Sequence, residues 1–354
     1  MPTSAAEALL ATVAYSPDGY PQRLDLMRRC TLLLGFDFTA YRQASFLDDR
    51  VLSPDIVGGW VTHDRLDDAT RHIGVARPLH LILHAGHVGS TLLSRLIDEL
   101  GGTLPLREPL PLRTLADAHD DLQGSDSLLS PEEFGRLGEL YLRLWSRGYV
   151  DTRQCVLKAT SSACRFAPWL LERRPAMNAV YLNLAAEPYL ATLLAGENSP
   201  TDLRGHSQER HRRLAVAGVP SLAPLHALSP GELAALSWLA ESLTRHQLAK
   251  QFPGRTLLLD FDQMLADVPC TMHAVARHFG IAYADHQLTA LASSPTLQRY
   301  SKAPEYAYGP TLRADILRQA RQHHAAEIKA GLDWIALLAR AHPKLADAAQ
   351  AAGF

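Results

Sequence analysis

The chain has 354 residues, 47% of them apolar and 20% charged, a composition that supports a sizeable buried core. The 35 Lys and Arg face 37 Asp and Glu, a formal net charge of −2, so no global basic field exists to hold nucleic acid or an anionic membrane. Any anion must be recognised locally.

The segment Met1-Pro2-Thr3-Ser4-Ala5-Ala6-Glu7 lacks the basic start and apolar core of a signal peptide, and no apolar run approaches the roughly 20 residues that span a bilayer. Cys30, Cys155, Cys164 and Cys270 are scattered, without metal-ligand or disulfide spacing, and are read as small buried hydrophobes in a reducing cytoplasm. The histidines show no metalloprotease spacing, and no metal site is expected. His323-His324 reads as the solvated face of a polar helix.

Residues 1–75 are expected to form a helical and irregular N-terminal extension packed on the main domain. Within it, Leu24 to Leu34 is read as a helix ending at Gly35. The remainder, 76–354, is expected to be one α/β domain. It opens on the apolar run Leu79-His80-Leu81-Ile82-Leu83, which feeds the small-residue stretch His84-Ala85-Gly86-His87-Val88-Gly89-Ser90-Thr91. Leu92, Leu93, Leu96, Ile97 and Leu100 then share one helical face, and Gly101-Gly102 supplies the stop. A strand feeding a glycine loop at a helix N-terminus is a ready anion site, because free backbone N–H groups and the helix dipole point at one spot. An empty strand–helix turn is the bland alternative.

Further along, Thr103 to Leu106 reads as a strand, followed by Arg107-Glu108-Pro109. Ser130-Pro131-Glu132-Glu133 and Ser229-Pro230-Gly231-Glu232 are capping boxes with proline at the first helical position, opening helices to about Arg147 and Phe252. Gln154 to Lys158, Asn178 to Leu184 and Arg255 to Asp260 read as strands. Glu187 to Leu194 and Pro269 to Phe279 read as helices. Pro200 to Pro230 is the expected long loop or excursion, carrying the basic cluster Arg204, Arg210, Arg212 and Arg213, which reads as a solvated helix face or as an anion clamp. Strands alternating with helices imply a central parallel sheet flanked by helices, with ligands at the carboxyl ends of its strands. Gly89, Glu108, Lys158, Asp260 and Asp262 all fall near such ends.

A kinase-type P-loop needs a lysine before its Ser or Thr. Here Ser90 stands in that place and His84 replaces the first glycine. Asp260, closing an apolar strand, keeps a nucleotide-dependent kinase open as an alternative. So does a non-catalytic nucleotide-binding protein.

Gly86 to Thr91 resembles the 5′-phosphosulfate loop of the PAPS-dependent sulfotransferases, in the bacterial branch with Gly-Ser-Thr-Leu-Leu loops. Arg107-Glu108-Pro109, Leu157-Lys158-Ala159-Thr160 and the segment Leu259 to Asp267 resemble later motifs of that family in the same order, spanning roughly 78–283. The resemblance implies a P-loop-like α/β fold and a soluble transferase moving a sulfuryl group from PAPS to a hydroxyl or amine of a small molecule or peptide. It implies Glu108 as the base that deprotonates the acceptor, with Lys158 and His87 offsetting the charge on the departing phosphosulfate. Gly86, His87, Val88, Gly89, Ser90 and Thr91 would bind the cosubstrate, and no metal is needed. Two positions depart from the family. His87 occupies the place of the loop's usual lysine, and Ala186-Glu187-Pro188 with Leu194 stands where the 3′-phosphate ligands Arg-Asp-Pro and Ser belong. A 3′-phosphate must then find other groups, from Arg204 to Arg213 or from Arg299, Ser301 and Lys302. Tyr300, Tyr306 and Tyr308 are open between lining a pocket and plain packing.

Overall fold

A computed structural model describes residues 5–71, 76–197, 199–219 and 222–354. The segment Met1 to Ser4 and the expected domain boundary at residue 75 lie outside the described residues, as do 220–221 of the expected 200–230 loop.

The N-terminal stretch carries helices at Ala5–Thr12, Phe38–Gln43 and His63–Thr70, and also three strands: β1 (Gly19–Asp25), β2 (Cys30–Gly35) and β3 (Gly58–Thr62). The helix expected over Leu24 to Leu34 is therefore a β-hairpin. Its arms pair antiparallel from Gly19↔Gly35 to Asp25↔Cys30. The Asp25 carboxylate accepts the Arg28 N–H at 2.8 Å and Arg29 takes a left-handed φ of 50°, so the chain turns where a helix would continue. β2 is the centre of its sheet, with β3 on its other side. A central strand buries residues on both faces, and a short apolar run of that kind is not distinguished from a helix by spacing alone.

The larger sheet contains β4 (Leu79–His84), β5 (Thr103–Arg107), β6 (Gln154–Lys158), β7 (Ala179–Asn183) and β8 (Thr256–Asp260), in the order β5-β6-β4-β7-β8. β5 with β6, β4 with β6 and β7 with β8 pair parallel. Every residue of β4 through β7 is buried, the near-continuous apolar pattern of strands covered on both faces. The architecture is the expected α/β one, a parallel sheet flanked by helices.

The chain divides into two compact units. One comprises Met1–Ile82, Leu93–Asn178 and Phe279–Tyr283; the other comprises Leu83–Leu92, Ala179–His278 and Ala284–Phe354. Two buried arginines brace the first. Arg147 donates to the carbonyls of Val13, Ser16 and Gly19 at 2.9–3.1 Å. Arg107 donates to Ser94 Oγ and to the carbonyls of Arg42 and Ala44, each at 2.9 Å. Burying such charge is tolerable because most of the donors are met this way, and Arg107 Nη2 has the Asp98 carboxylate 3.6 Å away.

The second unit is built on the 22-residue helix Pro230–Gln251, which opens on the expected capping box at Ser229. Gly231 allows close approach of a neighbouring helix: a Cβ there would lie 1.9 Å from the Glu327 carbonyl oxygen. The stretch expected as a long loop between Pro200 and Pro230 instead contains the helices Ser199–Gly205 and Ser207–Val216. Arg210 is buried there, and Arg213 pairs with Glu241 at 2.7 Å and Glu209 at 2.9 Å. These two arginines belong to the interior rather than to a solvated face, and Arg213 is committed to carboxylates. Cys30, Cys155 and Cys164 are buried as expected, but Cys270 is exposed.

Candidate phosphate-binding site

β4 ends at His84, and the Ser90–Glu99 helix begins six residues later. Between them, Gly86, His87 and Gly89 have φ values of 96°, 55° and 74°, so the loop coils tightly enough to turn the chain directly into the helix. It is pinned at its root. Ala85 N–H donates to the Leu182 carbonyl at 3.1 Å, and the Ala85 carbonyl accepts the Tyr189 hydroxyl at 2.7 Å. Burial pushes the Tyr189 phenol well above its ordinary value, which keeps that donor protonated. Gly89 is sterically required: a Cβ would meet the Phe261 ring at 2.1 Å, in a backbone conformation that side chains avoid.

His87 to Thr91 line a cavity of about 420 Å³, a size in the range of small-ligand sites. Arg299, Ser301 and Lys302 line the same cavity, as do Tyr300, Tyr306 and Tyr308. The groups singled out in the sequence near 86–91 and near 299–308 are therefore brought together. The late segment is held by an isolated bridge between Arg299 and Ala307 and by Tyr308 N–H donating to the Gln298 carbonyl at 2.9 Å. Burial raises the Tyr300 and Tyr308 phenols, leaving both as neutral donors with broad ring faces.

The charged side chains that line the cavity are basic, and Asp262, outside the lining, pairs with Arg313 at 2.7 Å. The lining includes Arg299, Lys302, Arg313 and His87 and no carboxylate among the described residues. In a chain of net charge −2 this is a local electropositive concavity. Thr91 Oγ1 is buried without a hydrogen-bond partner among the described residues, an orphan that an anionic oxygen in the cradle would satisfy.

Gly86 differs from expectation. Its N–H donates to His84 Nδ1 at 3.0 Å and Gly86 does not line the cavity, so its amide is spent within the loop. The same bond gives the buried His84 a partner at the strand end. Ala186 stands in place of the family's arginine, and Glu187 beside it is held bidentate by Arg321 at 2.7 and 2.8 Å. Asp260 Oδ1 accepts the Gln263 N–H at 3.0 Å and caps the Phe261–Ala266 helix, a structural use for the aspartate that kept the kinase alternative open. Arg313 is the charged lining residue that sequence reasoning missed. It sits inside an ordinary amphipathic helix, and no spacing marks it.

In the other unit, Lys158 closes β6 and Glu108 follows β5. The two form an ion pair between Lys158 Nζ and Glu108 Oε1, with the lysine side chain fully buried and the glutamate about one-tenth exposed. Glu108 N–H donates to the Lys158 carbonyl at 2.7 Å, so backbone and side chains are both clasped. Glu108 holds a left-handed φ of 55°. Among the described residues, the non-glycine positions with positive φ are Arg29, His87 and Glu108. Two of the three are residues singled out in the sequence for chemistry. A side chain held in this region costs on the order of 1–3 kcal/mol and persists where the surroundings over-determine it.

No family model and no curated protein matches the chain. Solved structures similar to it include the sulfotransferase domain from the curacin biosynthetic pathway, 13% identical over 70% of this chain and 98% of that one, with a TM-score of 0.38. A mouse sulfotransferase crystallised with PAP is 11% identical over 77% and 88%, at 0.41. A sulfotransferase from Alicyclobacillus acidocaldarius is 14% identical over 63% and 94%, at 0.35. Likeness at these identities and scores says nothing of this chain's substrate or reaction, which rest on its own residues.

Proposed function

We propose that the protein is a sulfotransferase moving a sulfuryl group from PAPS to a hydroxyl or amine of a small molecule or peptide. The observation that carries the proposal is the cavity, where a strand–loop–helix cradle meets Arg299, Ser301 and Lys302. A ligand with negative charge at two places and an aromatic ring between them suits such a lining. The residues fit the nucleotide cosubstrate in three respects: orphaned Thr91 Oγ1, amides of the His87–Thr91 turn, and cations on the late segment. When bound, PAPS supplies an activated sulfuryl group on a phosphate leaving group.

The chain's own residues take the remaining roles. Backbone N–H groups of the cradle bind the 5′-phosphate end, and Arg299, Ser301 and Lys302 bind the 3′-phosphate that Ala186 and Leu194 are unsuited to hold. His87 and Lys158 offset charge as the leaving group departs. Glu108 accepts the proton of the acceptor hydroxyl or amine as it attacks. The strained backbone at His87 and Glu108 supports these assignments, since such strain concentrates at functional positions. Ser90 in the kinase lysine's place and the capping role of Asp260 speak against phosphoryl transfer.

Calorimetry with adenosine 3′,5′-bisphosphate, AMP and ATP–Mg²⁺ side by side tests the proposal. Binding of the bisphosphate in clear preference to AMP is expected. Equal silence toward both would sink it, and preference for ATP–Mg²⁺ would favour the kinase alternative.

A further inference from the structure

Among the basic side chains of the cavity, Arg313 is more enclosed than Arg299. Arg299 is exposed, whereas the Arg313 side chain is only 15% exposed. Its guanidinium carbon lies 4.9 Å from the centroid of the Phe261 ring, the ring that fills the space where a side chain at Gly89 would stand. Arg313 is thus stacked on the ring that underlies Gly89, and both line the cavity.

Its partnering is incomplete. Nη2 approaches Asp262 Oδ1 at 2.7 Å, yet this buried nitrogen makes no aligned hydrogen bond among the described residues. The Asp262 carboxylate balances its charge. The helix position is also adverse. Arg313 lies in the first turn of Pro310–His323, where the dipole disfavours a cation. Gly309, which caps that helix, offers no side-chain acceptor for its free amides, and both Gly309 and Pro310 line the cavity. An anion at this spot would satisfy the arginine, the amides and the dipole together.

We propose that Arg313 is the fixed cation that binds a phosphate group of the nucleotide, filling the electrostatic role a lysine has in kinase-type P-loops. The proposal rests on the Gly86–Thr91 loop being a phosphate cradle. Buried donors in bidentate contact with phosphate are the strong ones, and a largely buried charge is screened little by salt. Arg313 is therefore a binding and positioning residue whose effect outlasts high ionic strength.

The test is calorimetry of adenosine 3′,5′-bisphosphate, AMP and adenosine on wild type, Arg313→Ala and Arg313→Lys, at low and high salt, with folding checked by near-UV circular dichroism. Arg313→Ala should weaken the phosphorylated ligands about tenfold or more at both salts while leaving adenosine unchanged. A loss confined to the bisphosphate assigns the 3′-phosphate; an equal loss for AMP assigns the 5′-phosphate. Arg313→Lys keeps the charge and the stem and should lose only a factor of a few. Exposed Arg318→Ala on the same helix should match wild type. Unchanged phosphate affinity in Arg313→Ala would overturn the proposal, as would a folded lysine variant no better than alanine. Wild type that binds neither phosphorylated ligand would instead overturn the cradle itself.

Discussion

At the scale of single residues, geometry separates the side chains that shape the cradle from those assigned to chemistry. Gly89→Ala places a methyl 2.1 Å from Phe261 at a φ of 74°, so the loop must deform. The variant should lose about 1–3 kcal/mol of stability, read from urea denaturation, and most of its affinity for adenosine 3′,5′-bisphosphate. Full retention of both would show that Phe261 yields. Glu108 belongs to the second class. Glu108→Gln keeps shape and backbone clasp but removes the proton acceptor, so sulfuryl transfer should fall by about 10²–10⁴ while bisphosphate affinity stays near wild type. Turnover equal to wild type would remove Glu108 from the reaction and leave it as a partner for Lys158. The distinction matters because breaking a buried ion pair is itself destabilising, which is why binding is measured alongside rate.

At the scale of elements, the long Pro230–Gln251 helix depends on its start. The Ser229 hydroxyl receives the Glu232 N–H at 3.3 Å and donates to Glu327 at 2.7 Å, while Ser229 N–H donates to Glu232 at 2.8 Å. Loss of a capping hydroxyl costs about 1 kcal/mol, and here the same hydroxyl also serves the Ala325–Ala341 helix. Ser229→Ala should therefore lower the urea midpoint by more than an isolated cap predicts, whereas Ser130→Ala, at an exposed box, should show the ordinary loss. Equal effects would mean that Glu327 contributes nothing. Both boxes are legible from local spacing, and both form. Leu24 to Leu34 teaches the opposite lesson, because nothing within eleven residues announces that β3, some 25 residues on, will pair with β2.

For the molecule as a whole, pH is the informative variable. Burial lowers the pKa of His63, His119, His246 and His278 below the ordinary 6.5. In each case the unfolded chain takes up protons more readily than the folded one near and below that value. Stability from these groups is thus full above about pH 6.5 and is lost as pH falls through it. The urea midpoint should drop between pH 7.5 and pH 5.5. A flat profile would mean that the folded protein takes up these protons as readily as the unfolded chain. The sign is opposite to that of surface histidines paired with carboxylates.

What the sequence determined alone was local in origin. Contiguous apolar runs ending at small or charged residues marked β4 through β8, and in β4 through β7 this is because a strand buried on both faces has no polar alternation to confuse. Glycines at 86 and 89 followed by Ser90 and Thr91 marked the cradle, because left-handed backbone and free amides are properties of a few consecutive residues. What only the tertiary structure decided were pairings between distant positions. Lys158 with Glu108, Arg213 with Glu241, the burial of Arg107 and Arg147 against carbonyls, and Arg313 over Phe261 each join groups that share no local pattern. A charged side chain's fate depends on which carboxylate, carbonyl or ring the fold delivers to it, and that delivery is not encoded within any one window of the chain.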